Sequence, residues 1–149
     1  MARQKPPPVE LATPDEIEQQ FYEALQQGDL DKMMALWSDD DDIACVHPGG
    51  PRAIGPAAVR ASFRQMFAGG RVVDISVQDI HRAQAHSSSV HSVVERVRVK
   101  TPGGSESAWV NATNVYARTP LGWRLVAHHA SAGPEHDGSD AAEPGSVLH

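Results

Sequence analysis

SSSVHSVVERVRVKTPGGSESAWVNATNVYARTPLGWRLVAHHAS, running from Ser87 to Ser131, is the stretch that decides the fold. It divides into three strands, Ser87–Lys100, Ser105–Arg118 and Trp123–Ser131, separated by the turns Thr101-Pro102-Gly103-Gly104 and Thr119–Gly122. On the first strand the odd positions are His91, Val93, Glu95, Val97 and Val99, against Ser92, Arg96, Arg98 and Lys100 at even positions. The odd face is the more apolar, so it should face the core. A turn at 101–104 pairs Lys100 with Ser105, which sets Glu95 opposite Val110 and His91 opposite Asn114. The inner set of the second strand is then Val110, Ala112, Asn114 and Tyr116. The third strand has two readings: an unbroken register turns Trp123, Leu125, Ala127 and His129 inward, and a single bulge turns Val126, His128 and Ala130 inward.

Working back toward the N-terminus, Val72–His81 reads as one more strand, preceded by three helices. Thr13-Pro14-Asp15-Glu16 supplies an N-cap, a proline in the first turn and a capping-box glutamate. Ile17, Phe21, Ala24 and Leu25 then recur at helical spacing up to Gly28. Asp29 caps a second helix carrying Leu30, Met33, Met34 and Trp37 and ending near Ser38. Asp39–Asp42 reads as a solvated loop. Ile43–His47 is a short strand before the loop Pro48–Pro51. Gly55-Pro56 opens a third helix with Val59, Phe63, Met66 and Phe67 on one face, closed by Gly69-Gly70. Helices followed by hairpin-linked strands make an α+β domain, an antiparallel sheet packed on three N-terminal helices. Its expected span is 13–132. Residues 1–12, with Pro6-Pro7-Pro8, and 133–149, with almost no apolar residues, are expected to be disordered.

The chain has 149 residues, 13 basic and 19 acidic, with a formal charge of −6. That balance argues against nucleic acid and against an anionic membrane surface as partner. No apolar stretch approaches the roughly 20 residues of a membrane span, and Met1–Pro8 has no signal-like apolar core. The single cysteine, Cys45, fits a reducing compartment, so a cytoplasmic location is expected. The unusual count is eight histidines.

On the inner sheet face Glu95, His91, Asn114 and one of His128 or His129 stand among Val and Ala. Small residues such as Ala112 and Ala130 leave room there for an apolar pocket with a few convergent polar groups, the usual form of a small-molecule site. Its expected lining is Phe21, Trp37, His91, Val93, Ala112, Tyr116 and Ala130. Neighbouring strand residues face opposite ways, so His128 and His129 do not bind one metal together. No metal and no cofactor are expected. The outer face carries Trp109, Thr113 and Val115, joined in the bulged register by Trp123 and Leu125. That face is apolar enough to suggest a homodimer.

Three groups of residues carry a family resemblance. The first is Gly28-Asp29-Leu30-Asp31 with Met34-Ala35-Leu36-Trp37-Ser38-Asp39-Asp40. The second is Cys45-Val46-His47-Pro48-Gly49-Gly50 with Gly55-Pro56-Ala57-Ala58-Val59-Arg60. The third is Thr113-Asn114-Val115-Tyr116 with Gly122-Trp123-Arg124-Leu125-Val126-Ala127-His128-His129-Ala130-Ser131. In order and spacing they resemble the SnoaL-like branch of the nuclear transport factor 2 superfamily, which includes polyketide cyclases, ketosteroid isomerases and the calmodulin-dependent kinase association domain. The resemblance implies a cone-shaped fold, a curved sheet around a central pocket, and a homodimer. It favours the bulged register, with His128 inward and His129 outward.

In the isomerases an acidic base precedes a proline, and His47 before Pro48 matches that position. Imidazole serves as a base near neutrality. Their helix-one tyrosine matches Phe21, with Tyr22 pointing elsewhere, and their protonated aspartate falls near Ala112 or Thr113. The oxyanion hole is therefore missing, which argues against steroid isomerisation. The association-domain arginines match Glu95, Asn114 and Ala130, which argues against an anion pocket. The function expected is that of a lyase, isomerase or cyclase acting on a small apolar molecule. His47 would be the general base, with Asn114, His128 and Glu95 orienting the substrate. The alternative is a non-catalytic ligand-binding or assembly module.

Overall fold

The computed structural model describes residues 12–70 and 72–133. The expectations of disorder for the two termini fall on residues that lie, almost entirely, outside that range. The elements are α1 (Pro14–Gln27), α2 (Leu30–Ala35), β1 (Ala44–Val46), β2 (Arg52–Ile54), α3 (Pro56–Gly69), β3 (Val72–Gln84), β4 (Ser88–Thr101), β5 (Gly104–Thr119) and β6 (Gly122–Ala132). They build one open, curved six-stranded sheet in the order β2-β1-β6-β5-β4-β3. The helices cover its inner face.

The long hairpins follow the expected register. Glu95 pairs with Val110, His91 with Asn114 and Lys100 with Ser105. Every second residue of β5 from Val110 to Tyr116 is buried. Three features differ from expectation. The sheet is not purely antiparallel, because β1 runs parallel to β6, with Cys45 beside His128. The strand β2, inside what reads as a loop, closes that edge by pairing with β1. The second helix ends at Ala35 rather than near Ser38, because the chain is drawn into the sheet. Leu125 N–H donates to Leu36 O at 2.8 Å and Ser38 N–H to Leu125 O at 2.9 Å.

That clamp also settles the last strand. Ala127 faces Val115 while Leu125 faces Tyr116, so Val126 is the extra residue of a bulge. Past the bulge His128 (4% exposed) and Ala130 turn inward and His129 is exposed. Before it, Leu125 remains fully buried, so the outward position expected for Leu125 is corrected: the bulge lies on its C-terminal side. Trp123 is buried as well, with the Arg118 guanidinium 4.9 Å above its ring.

The helix ends are held as the sequence suggests. Thr13 and Glu16 form a reciprocal capping box on α1. Gly28 takes a left-handed φ of 67° to end it, and the Asp29 carboxylate accepts from Lys32 N–H to begin α2. The core joins Ile17, Phe21 and Ala24 of α1, Met33, Val59 and Phe63 to the inner sheet residues. The ring of Phe63 meets Phe21 and Trp37 at 6.1 Å, Phe67 at 5.9 Å and His47 at 4.8 Å.

Candidate functional site

Pairing in the sheet lines up one polar row across five strands: Cys45 on β1, His128 on β6, Asn114 on β5, His91 on β4 and Arg82 on β3. The next row along, Val93, Ala112 and Ala130, is apolar and small. Beyond it stands Glu95, opposite Val110 and Val77. Helix α1 lies over these rows. Glu18 and Tyr22, four residues apart, share its buried face with Ile17 and Phe21.

A continuous hydrogen-bond network forms where helix and sheet meet. Three groups converge on Glu18, which is 4% exposed: Asn114 Nδ2 at 3.0 Å and the Tyr116 hydroxyl at 2.8 Å donate to Oε2, and His91 Nδ1 stands 2.9 Å from Oε1. Glu18 Oε2 thus accepts two hydrogen bonds. Asn114 Nδ2 also donates to the Tyr22 hydroxyl oxygen at 3.0 Å, and Tyr22 donates to Glu95 Oε2 at 2.7 Å. With both amide hydrogens used, Asn114 presents Oδ1 to His128 Nδ1. His128 therefore carries its proton on Nδ1, and Nε2 is the bare nitrogen. At its outer end the network passes from His91 Nε2 to Ser89 Oγ at 3.1 Å.

Burial sets the acid–base character of these groups. It drives Glu95 up to about 7; the hydrogen bond from Tyr22 opposes the rise and the charge of Glu18 adds to it. It drives His128 down to about 3, helped by His47 and His129. The Tyr22 and Tyr116 hydroxyls are raised, chiefly by burial. Burial lowers His47 and lifts the Cys45 thiol to about 12 against a hydrogen bond with Ser62.

Two cavities flank the network. One, of about 310 Å³, opens between α1, α3 and the sheet, with walls including Leu25, Met66, Phe67, Ile75, Val97, Val110, Pro48 and Glu95. Glu95 is the one titratable side chain among the described residues that line it. The other, of about 320 Å³, lies between α1 and β3 and meets Asp15, Glu18, Tyr22, Glu23 and Arg82.

Of the residues singled out by sequence, Glu95, Asn114, His91 and His128 belong to one network, and Glu95 alone of them faces a cavity. His47 stands apart, its Nε2 3.2 Å from Ser62 Oγ and 3.8 Å from Cys45 Sγ, its ring 6.2 Å from that of His128. Its Nδ1 and the Trp37 Nε1 are buried without a partner among the described residues. Phe21, Trp37, His91, Val93, Ala112, Tyr116 and Ala130 are all buried, and none of them lines either cavity. Tyr22 does not point elsewhere; it is the link between Glu95 and Asn114. Sequence reasoning passed over Glu18. Its signal was there: an acid next to Ile17 and three residues before Phe21 sits within the apolar stripe of α1. Among the described residues no three His, Cys, Asp or Glu side chains form a metal-ligand set, and no helix is long and apolar enough to cross a membrane.

Comparison with known proteins agrees with this architecture. Residues 15–134 match the SnoaL-like domain. A Thiobacillus denitrificans structure provisionally named a calcium/calmodulin-dependent protein kinase type II association domain is 38% identical, with a TM-score of 0.74, covering 82% of this chain and 96% of its own. A Streptomyces avermitilis protein provisionally named a dehydratase of the NTF2-like family is 30% identical, with a TM-score of 0.69, covering 80% and 92%. A Caulobacter vibrioides protein with a cystatin-like fold shares the fold at 16% identity, with a TM-score of 0.70, covering 90% and 94%. Among curated proteins there is no match. The cone-shaped NTF2-like fold is thus shared, and by the match over residues 15–134 the chain belongs to the SnoaL-like domain family.

Proposed function

We propose that the protein is an enzyme of lyase or isomerase type acting on a small apolar molecule, with Glu95 as its proton-transfer group. One observation carries this reading: a carboxyl group only 4% exposed stands on the wall of a largely apolar cavity, with the Tyr22 hydroxyl 2.7 Å behind it. A carboxylate out of water removes a proton from carbon next to an electron-withdrawing group. The electron pair then expels a leaving group or shifts a double bond. With its midpoint near 7, Glu95 can both take and return that proton at neutral pH. The dehydratase name of the Streptomyces relative supports a reaction of this class. In this reading Asn114 and His128 hold the network that fixes Tyr22. His47, assigned the base role by the sequence, becomes the rival base to be tested. No cofactor is invoked, and the single buried Cys45 accords with a cytoplasmic location.

The test uses 5-nitrobenzisoxazole, whose ring opening reports any desolvated base by the phenolate it releases. Wild-type protein should accelerate the elimination, with a rate rising sigmoidally through about pH 7 as Glu95 loses its proton. Glu95→Gln should lose the acceleration and His47→Ala should keep it. A fully active Glu95→Gln variant would overturn Glu95 as the base; loss in His47→Ala alone would assign the role to His47.

A second reading, assembly into homodimers or larger homo-oligomers, is favoured by the relation to the protein named an association domain. The outer sheet face offers Trp109, with the Arg96 guanidinium 5.9 Å from its ring, beside Thr113 and Val115. Light scattering should give more than one chain per particle, and a monomer at micromolar concentration counts against it.

A further inference from the structure

We propose that Glu18 is the positioning residue for Glu95, acting through Asn114 and Tyr22 on the carboxyl group at the cavity wall. The inference rests on the proposed role of Glu95 and extends it to a residue that does not touch the cavity holding the substrate.

Directions of donation tie Glu18 to Glu95. Glu18 accepts from the Tyr116 hydroxyl and Asn114 Nδ2, with His91 Nδ1 beside its other oxygen. As an acceptor it demands the NH2 side of Asn114. The same NH2 group donates to Tyr22, which fills an acceptor position on the hydroxyl oxygen and leaves the hydroxyl proton for Glu95. With the Asn114 amide reversed, Tyr22 would give its proton to Asn114 and Glu95 would lose its partner. Glu18 thus determines, two hydrogen bonds away, that Tyr22 points at Glu95.

Charge ties the two carboxyl groups as well. Both carboxyl groups are 4% exposed, and Glu18 adds to the pressure that keeps a proton on Glu95. Glu18 Oε2 receives two donors where Glu95 receives a single hydroxyl. The other groups facing Glu95 do not take over this part. From α1 comes Tyr22, whose hydroxyl burial keeps protonated, and from β4 and β5 come Val97 and Val110. From β3 come Ile75 and Val77, and from α3 Met66 and Phe67, none of them titratable.

The experiment follows the side-chain carboxyl carbons of Glu95 and Glu18 by 13C NMR through a pH titration, in wild type, Glu18→Gln, Glu18→Asp and Glu23→Gln. In wild type the Glu18 resonance should show an inflection at the Glu95 midpoint, because coupled sites report each other. In Glu18→Gln the amide oxygen still accepts from Asn114, so Tyr22 stays on Glu95 and only the charge is lost; the Glu95 midpoint should fall by about half a pH unit or more, and the pH–rate profile for 5-nitrobenzisoxazole should move with it. Glu18→Asp, which keeps the charge, should restore part of the shift. Glu23→Gln removes a charge from the same helix at an exposed position and should leave the midpoint in place. A Glu95 midpoint unmoved in Glu18→Gln, or a wild-type Glu18 resonance blind to Glu95, overturns the pairing. Glu18→Gln is not needed for the latter result, so a variant that fails to fold does not block the test. An unmoved midpoint alongside elimination that still depends on Glu95 overturns the pairing and leaves the base standing. A moved midpoint without such elimination overturns the base alone.

Discussion

Glu95→Gln should make the protein more stable in alkaline solution while removing its proposed chemistry. Burial lifts the Glu95 carboxyl from its ordinary 4.5 to about 7. Between those two values the folded protein holds a proton that the unfolded chain has released. Stability therefore falls as pH rises through that window. Below 4.5 both states are protonated and nothing is lost; above 7 both are ionised and the full cost is present. Each pH unit of the window is worth about 1.4 kcal/mol, so the cost above pH 8 is about 3 kcal/mol. Glutamine is neutral at every pH, matches glutamate in volume and still accepts from Tyr22. The variant should thus equal wild type at pH 4 and exceed it by about 3 kcal/mol at pH 8, on the order of 10 °C in Tm for a domain of this size. Urea denaturation of both proteins at pH 4, 6 and 8 reads the difference directly, because every other titrating group is common to the two. Equal stability at pH 8, or a gap that does not change with pH, would refute the claim that a desolvated carboxyl is held at the cavity wall.

Other parts of the structure make independent predictions. Phe63→Ala removes a fully buried ring packed against Phe21, Trp37, His47 and Phe67 and should cost about 3–5 kcal/mol in chemical denaturation. Tyr22→Phe deletes the hydroxyl between Asn114 and Glu95; it should cost about 1–2 kcal/mol and move the Glu95 titration to higher pH, read by 13C NMR, because that hydrogen bond holds it down. His128 should show by 15N NMR a proton on Nδ1 and a bare Nε2 throughout pH 5 to 9, since burial places its own titration near 3. Gly28→Ala should destabilise by about 1 kcal/mol in the same denaturation assay: an added methyl has room beside Phe67 at 3.9 Å, but φ is 67°.

What the sequence showed of all this follows the strength of local signals. Strands β4 and β5 alternate cleanly and meet at a turn of fixed length, so Glu95 opposite Val110 and His91 opposite Asn114 could be counted off by residue number. A bulge leaves no such mark. The resemblance chose the bulged register, yet only the bonds between Leu36, Ser38 and Leu125 show that the extra residue is Val126 and that Leu125 stays inside. Three-residue strands are too short to display a period, which is why β2 was invisible and β1 could not be given a direction. Glu18 was hidden for a different reason. A helix face is recognised by its apolar members, and an acid among them is read as an edge residue until the sheet supplies His91, Asn114 and Tyr116 as hydrogen-bond partners.

Composition had drawn attention to histidine as the chemical residue, and burial reverses that order. An apolar interior penalises whichever form of a group is charged: it lowers bases and raises acids. At neutral pH the same environment takes His128 far from its titration, to about 3, and carries Glu95 to its own, about 7. His47 is moved in the same direction as His128 by the same cause. A histidine is poised for proton transfer at pH 7 where water still reaches it. A carboxylic acid becomes poised where water does not. In a cone whose interior is lined by Val93, Ala112, Val110 and Ala130 and closed by Phe21 and Phe63, the second condition holds. The residue to follow is then the carboxyl that faces an apolar cavity, with Glu18, held by Asn114 and Tyr116, behind it.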